Sequence, residues 1–285
     1  MRLRTEASKG IALSAPASLY VGLLVAAPLG ILVVYSFWTQ TYVDFDRTPT
    51  WANYLEAVED PLVRYLLLRS IAIAGCVTAA TVALAYPLAY FIAFRTHRKT
   101  LWLLLITIPF WSSYLLRVFS WKLILGFNGV LNSALLSLGL ISEPLTFLLY
   151  NEFAVVLTLA HAWAPFAILP IYVSLQKIDR SLLEAATDLG SGKLERFLRV
   201  TLPLTVPGII AACLIIFIPT VGDYVTPSLV GGSDGKMIAN LIQVQFGAAN
   251  NWPLGATLSL IAMLSVGFVS IVFVFAVRGL GERIR

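Results

Sequence analysis

Asp223 stands just past a long apolar run, with Tyr224 next to it and Gly222 and Pro227 on either side. A carboxylate with an aromatic neighbour can hold an ammonium group by ion pairing and cation–π attraction. Trp111 and Tyr114, in a second proline-containing segment, can add aromatic walls to the same ligand. A helix cap at Asp223 and interfacial anchoring by the rings explain the same residues without a ligand, and both readings stay open at this level. Other chemistry is thin. Gly190-Ser191-Gly192-Lys193 looks like a phosphate loop, but Thr187 and Leu194 break the G-x-x-x-x-G-K-[ST] spacing. Gly235-Lys236 fails in the same way at Val230 and Met237. The chain is therefore expected to bind no nucleotide. Thr220 stands where an aspartyl-type intramembrane protease needs the first glycine of G-x-G-D. With two histidines in the chain, of which His161 beside Trp163 reads as a hydrogen-bonded packing residue, no catalytic residue and no metal ligand is assigned.

The elements that must position these residues lie in a membrane. Hydrophobic residues are 59% of the 285 and charged residues 12%, against about 25% charged in a soluble domain. Mean hydropathy is +0.85. Runs without Asp, Glu, Lys or Arg cover 11–38, 70–94, 101–116, 153–176, 200–220 and 252–277. Roughly 20 apolar residues cross about 30 Å of hydrocarbon as a helix, the form in which a chain satisfies its own backbone. The expectation is an all-α, polytopic protein, one domain over 1–285. Its six spans are expected near 11–38, 70–94, 101–121, 153–176, 200–220 and 252–277. The first run is longer than a signal-peptide core and reads as a retained helix. Pro109, Pro165, Pro170, Pro207 and Pro219 are expected to interrupt spans three to five, which makes these helices the pathway walls. Gly75, Ala79 and Ala83 allow close helix packing, within the subunit or against a second one.

Charge sets the orientation. Fourteen of the 20 Lys/Arg fall in segments 1–10, 95–100, 177–199 and 278–285, so both termini are expected in the cytoplasm. The net charge of +5 marks that face and does not call for nucleic acid. The outer segment 39–69 carries Trp51, Tyr54, Leu55 and Val58 at helical spacing, expected as a short amphipathic helix.

Segment 179–199 is too polar for hydrocarbon. Ser181 to Glu184 reads as a capping box, Ala185 and Ala186 continue a helix, and Gly190 can end it in the left-handed region. Pro203 then suits the first turn of the next helix. The spacing Glu184-Ala185-Ala186, Asp188, Gly190, then Val200 with Leu202-Pro203 resembles the cytoplasmic coupling loop of the membrane subunits of binding-protein-dependent ABC importers. Val200 departs conservatively from the isoleucine usual there. Segments 109–117, 222–227 and 251–255 further resemble permeases of spermidine/putrescine importers.

The resemblance implies a type I ABC importer permease in a bacterial inner membrane, moving a small cationic solute by alternating access. It implies coupling through Glu184, Ala185, Ala186, Asp188, Gly190, Leu202 and Pro203. It also implies two cytoplasmic ATPase subunits carrying ATP and Mg, a second homologous permease and an extracytoplasmic solute-binding protein. Related permeases serve other small amines, amino acids and organophosphonates. An ion-coupled secondary transporter is the different-class alternative, disfavoured because the six runs hold no acidic or basic residue.

Overall fold

A computed structural model describes residues 2–42 and 44–283. The helices are α1 Arg2–Ser36, α2 Ala52–Glu59, α3 Pro61–Phe94, α4 Lys99–Thr107, α5 Tyr114–Leu125, α6 Val130–Ser137, α7 Glu152–Gln176, α8 Arg180–Asp188, α9 Lys193–Arg196, α10 Leu202–Val221, α11 Ile238–Phe246 and α12 Trp252–Arg283. A small antiparallel pair, β1 Thr39–Thr41 and β2 Asp44–Asp46, is the exception to an all-helical chain. Six stretches are long and apolar enough to cross a bilayer: Leu13–Ser36, Pro61–Phe94, Tyr114–Ser137, Glu152–Gln176, Lys193–Val221 and Trp252–Gly279. The residues fall into two compact units, 1–64 with 242–263, and 65–241 with 264–285.

In the first unit, α2 forms where the apolar spacing predicts a helix, but its inward face differs. Asn53 and Ala57 are buried, whereas Trp51, Leu55 and Val58 are exposed. The reason is hydrogen bonding: Asn53 Nδ2 donates to Ser36 O at 3.0 Å and Trp38 O at 2.7 Å, serving carbonyls that the end of α1 leaves without helical partners. An amide does this work and an apolar side chain cannot.

In the second unit, the core is built around α7, whose apolar window is 56% buried. Ile73, Val77, Ala89, Ile92, Leu159, Ile168, Ile171, Leu175, Ala212 and Ile216 form one cluster across α3, α7 and α10. Close approach of α7 and α10 depends on Gly208, since a Cβ there would lie 2.6 Å from Pro170 O and clash with the Ser174 side chain. A small residue lets two helix backbones meet where lipid supplies no hydrophobic drive to join them.

Two expectations are corrected. The single third span over 101–121 is two helices: α4 runs into a 3-10 turn at Ile108–Trp111, and Ser112 is extended before α5 begins at Tyr114. Pro109 has no N–H to continue the ladder, so the chain breaks there. Pro165, Pro170, Pro207 and Pro219, by contrast, lie inside unbroken helices, so they do not interrupt spans four and five. Packing around α7 and α10 holds those helices through the missing bonds.

Candidate functional site

Asp223 sits in the turn that follows α10. Its Oδ1 accepts from the backbone N–H of Val225 at 2.9 Å and of Thr226 at 3.4 Å, so it caps the next helical turn. Pro227 enters that turn in its first positions, where a missing N–H is harmless. The other oxygen, Oδ2, accepts from Tyr114 Oη at 2.5 Å. Tyr114 Oη is also 2.6 Å from the hydroxyl of Thr226, a residue with no exposed surface. Asp223 is therefore both a cap and the partner of a tyrosine from the first turn of α5. Asn240 braces the same turn, donating to Tyr224 O at 2.9 Å and to Ser228 Oγ at 2.8 Å.

Of the four residues expected to meet a solute, the structure joins Tyr114 and Asp223. Tyr224 contributes its carbonyl to the brace while its side chain is 47% exposed. Trp111, 88% exposed, contacts neither side chain through any hydrogen bond or ring pair among the described residues. Arg117 was not among the sequence candidates and lies at the same place. Its guanidinium is 5.6 Å from the Phe110 ring centroid and 5.9 Å from that of Tyr114, and Nη1 donates to Ala162 O at 3.3 Å. Its Nε is buried and has no hydrogen-bond partner among the described residues. Thr226 was also missed. The signal for it was Asp223-x-x-Thr226 ahead of Pro227, the pattern of a helix start, but nothing in the linear spacing pairs it with Tyr114.

His161 accepts at Nδ1 from Trp121 Nε1 at 3.1 Å, which requires a ring not protonated at that nitrogen. Glu152 pairs with Arg69 at 2.7 Å. An apolar cavity of about 320 Å³ is lined by Gly75, Ala79, Cys213, Phe217, Ser270 and Phe273. With no charged group in its wall it is not suited to a cation. It also shows that Gly75 and Ala79 face open space here, not a tightly packed helix of this chain.

Segment 179–199 forms a helix, a turn and a second helix. The cap is a correction: Asp179, not Ser181, is the N-cap of α8, its Oδ1 accepting from Ser181 N at 3.0 Å. Asp and Ser serve equally well as caps, so the earlier residue wins when the chain turns before it. The hydrogen bonds from Ser181 hold the Asp179 carboxyl below the usual aspartate range. At the other end Gly190 has φ +84 and donates to Thr187 O, while Ser191 N donates to Ala186 O. This is the paired-bond C-terminus that a left-handed glycine permits. Glu184, Ala185 and Asp188 are exposed on α8, as are Leu182, Leu189 and, on α9, Leu194. From Lys193 the chain stays helical through a π turn at Phe197–Thr201 into α10, with Leu202 and Pro203 in its first turn. Phe197 packs edge-on against Tyr86, and Tyr86 Oη meets Thr205 Oγ1 at 2.9 Å. The segment thus leads without interruption into α10, at whose far end Asp223 lies.

Comparison with known proteins places the chain in a family. The family model for "Binding-protein-dependent transport system inner membrane component" matches residues 61–285. The chain is 37% identical over 264 residues to the spermidine/putrescine transport system permease protein PotB of Escherichia coli, covering 92% of this chain and 95% of that one. Identity is 35% to the protein of that name in Haemophilus influenzae, covering 88% and 87%. It is 32% to the inner membrane ABC transporter permease protein YdcU of Escherichia coli, covering 87% and 83%. Among solved structures, a chain of a bacterial ABC transporter involved in import of the acidic polysaccharide alginate superposes with a TM-score of 0.72 at 15% identity, over 100% of this chain and 99% of that one. On these grounds the chain belongs to the binding-protein-dependent transport system inner membrane components and is a multi-pass permease subunit of an ABC importer.

Proposed function

We propose that this permease carries a polyamine of the spermidine or putrescine type across the inner membrane by alternating access. The observation that carries the reading is the match along nearly the whole chain to permeases of that name. The Asp223 carboxylate, in irregular backbone at the end of α10, suits a cationic solute, with Tyr114 bonded to it and Tyr224 next to it in the chain; Trp111 enters the path as a separate exposed ring. Both termini lie in the cytoplasm, following the excess of Lys/Arg in the inner segments.

Energy enters from outside the chain. Two cytoplasmic ATPase subunits holding ATP and Mg press on α8, where Leu182 and Leu189 offer apolar contact beside Glu184 and Asp188. Glu184, Ala185, Ala186, Asp188, Gly190, Leu202 and Pro203 transmit the movement into α10. A second, homologous permease completes the path, and an extracytoplasmic binding protein delivers the solute. A second reading, a solute bearing an acid group as well as an amine, is favoured by Arg117 beside Tyr114.

The test is ATPase activity of the whole assembly in lipid with its binding protein, against putrescine, spermidine, 4-aminobutyrate and aminoethylphosphonate. Stimulation by di- and polyamines alone supports the main reading. Stimulation only by the amino acid or the phosphonate replaces it with the second.

A further inference from the structure

Asp223 has little bonding capacity to spare. A carboxylate offers about four lone-pair sites. Oδ1 takes the Val225 and Thr226 amides, and Oδ2 takes the Tyr114 phenol. Any ammonium group that approaches this carboxylate meets an oxygen already engaged by a short, charge-assisted bond. Arg117, the nearby cation, makes no ion pair with Asp223 among the described residues. The phenol is thus the group that holds Oδ2.

The phenol also has somewhere else to go. Thr226 Oγ1 is 2.6 Å from Tyr114 Oη, almost as near as the carboxylate. A hydroxyl can donate or accept. With Tyr114 donating to Asp223, Thr226 donates to Tyr114; with Oδ2 taken by another donor, Tyr114 donates to Thr226 instead. The phenolic proton stays on Tyr114 in both arrangements, and the Thr226 oxygen keeps Tyr114 as its partner, now as acceptor and no longer as donor. Cap bonding by Oδ1 is untouched.

We infer that Tyr114 is a latch on Asp223: its hydroxyl occupies the carboxylate oxygen until the ammonium group of the solute displaces it onto Thr226. The inference rests on the polyamine reading above and adds what gates that site. Its mechanical consequence follows from position. Tyr114 is the first residue of α5, immediately after the break at Pro109–Ser113, and Asp223 follows the end of α10. The bond ties the start of one helix to the exit of the helix that the coupling segment drives. Cargo that replaces the phenol releases this tie, so release reports arrival.

The test uses the full importer with its binding protein in lipid vesicles and compares wild type with Tyr114→Phe. Without the hydroxyl the carboxylate is open from the start. ATPase activity in the absence of spermidine rises several-fold, and half-saturating spermidine falls by about tenfold, the scale of one hydrogen bond to a charged group. Thr226→Val removes the second acceptor and shifts half-saturating spermidine the opposite way. Wild-type basal activity and spermidine dependence in Tyr114→Phe overturn the latch. Should that variant fail to assemble, 3-fluorotyrosine at position 114 of the otherwise wild-type assembly gives a fluorine resonance that moves on adding spermidine; a resonance that does not move overturns it equally. A wild-type assembly that no di- or polyamine stimulates removes the polyamine reading itself, and the latch with it. A stimulated wild type with a silent Tyr114→Phe removes the latch alone.

Discussion

Arg196 Nη1 donates to Thr187 Oγ1 at 2.5 Å, fastening α9 to α8 across the turn at Gly190. Thr187 in turn donates to Leu183 O at 2.8 Å, so its hydroxyl is held in place by the helix it belongs to. The exposed helix α8 and the helix α9 that continues into α10 are thereby bonded side chain to side chain. In Arg196→Ala, and in Thr187→Val, this link is lost while every span is left intact. The expected result is ATP hydrolysis close to wild type with solute moved per ATP reduced by about 2–10-fold, the range of one hydrogen bond. Paired transport and ATPase assays on one vesicle preparation measure the ratio.

Gly190 has φ +84 and open space where a Cβ would sit, so substitution there costs only backbone strain. Gly190→Ala is expected to destabilise the end of α8 by about 1–2 kcal/mol, and Gly190→Asn by less, because asparagine enters the left-handed region more readily. Co-purification of the ATPase subunits should follow the order Gly, Asn, Ala. Equal recovery in all three excludes a role for this turn in docking.

The Asp179 cap makes a prediction about pH. Its carboxyl titrates below the usual aspartate value when α8 is folded, because the ionised form accepts from Ser181 N. A depressed folded value means that the cap contributes fully above the unfolded value and is lost as pH falls through the folded one. Hydrogen-exchange protection of α8 is expected to be level from pH 7 to about 5 and to drop only below about 3.9, the ordinary aspartate range. Asp179→Asn should flatten that drop, and Ser181→Ala should leave protection nearly unchanged.

Asp223→Asn separates charge from shape. Asparagine caps as well as aspartate; with its one carbonyl oxygen on the Val225 and Thr226 amides, its Nδ2 faces Tyr114 and donates to the phenol, which then donates to Thr226. Transport is expected to fall tenfold or more, the loss of an ion pair in a partly buried site, with the thermal transition of the purified protein little changed. Transport at the normal rate sinks the assignment of Asp223 to the solute path.

Gly208→Leu tests the packing of α7 on α10. Four carbons placed against Pro170 O and Ser174 cannot be accommodated without separating the helices. A cost of about 1–3 kcal/mol is the usual scale of overpacking, read as a lowered midpoint of thermal unfolding in detergent.

Much of this protein is legible along the chain. Spans one, two, four, five and six follow from runs of apolar residues, because lipid admits only segments that satisfy their own backbone. The helix, turn and helix of segment 179–199 follow from Glu184-Ala185-Ala186, Gly190 and Pro203, whose local conformational preferences the fold does not override. Where local signals competed, the linear reading erred. Asp179 and Ser181 are both good caps, and chain direction decided between them. Pro109 breaks its helix while Pro165, Pro170, Pro207 and Pro219 do not, because these four lie in α7 and α10, which pack on each other.

What the chain determined alone was what local rules can determine: membrane segments and the helix, turn and helix between two of them. Tertiary structure decided which distant groups meet. Tyr114 and Asp223 are 109 positions apart, and no periodicity connects them. Their hydrogen bond exists because α7 and α10 close on Gly208 and because α5 restarts after Pro109 at the level of the turn that Asp223 caps. Contacts of that kind depend on packing between helices, which a linear pattern does not encode.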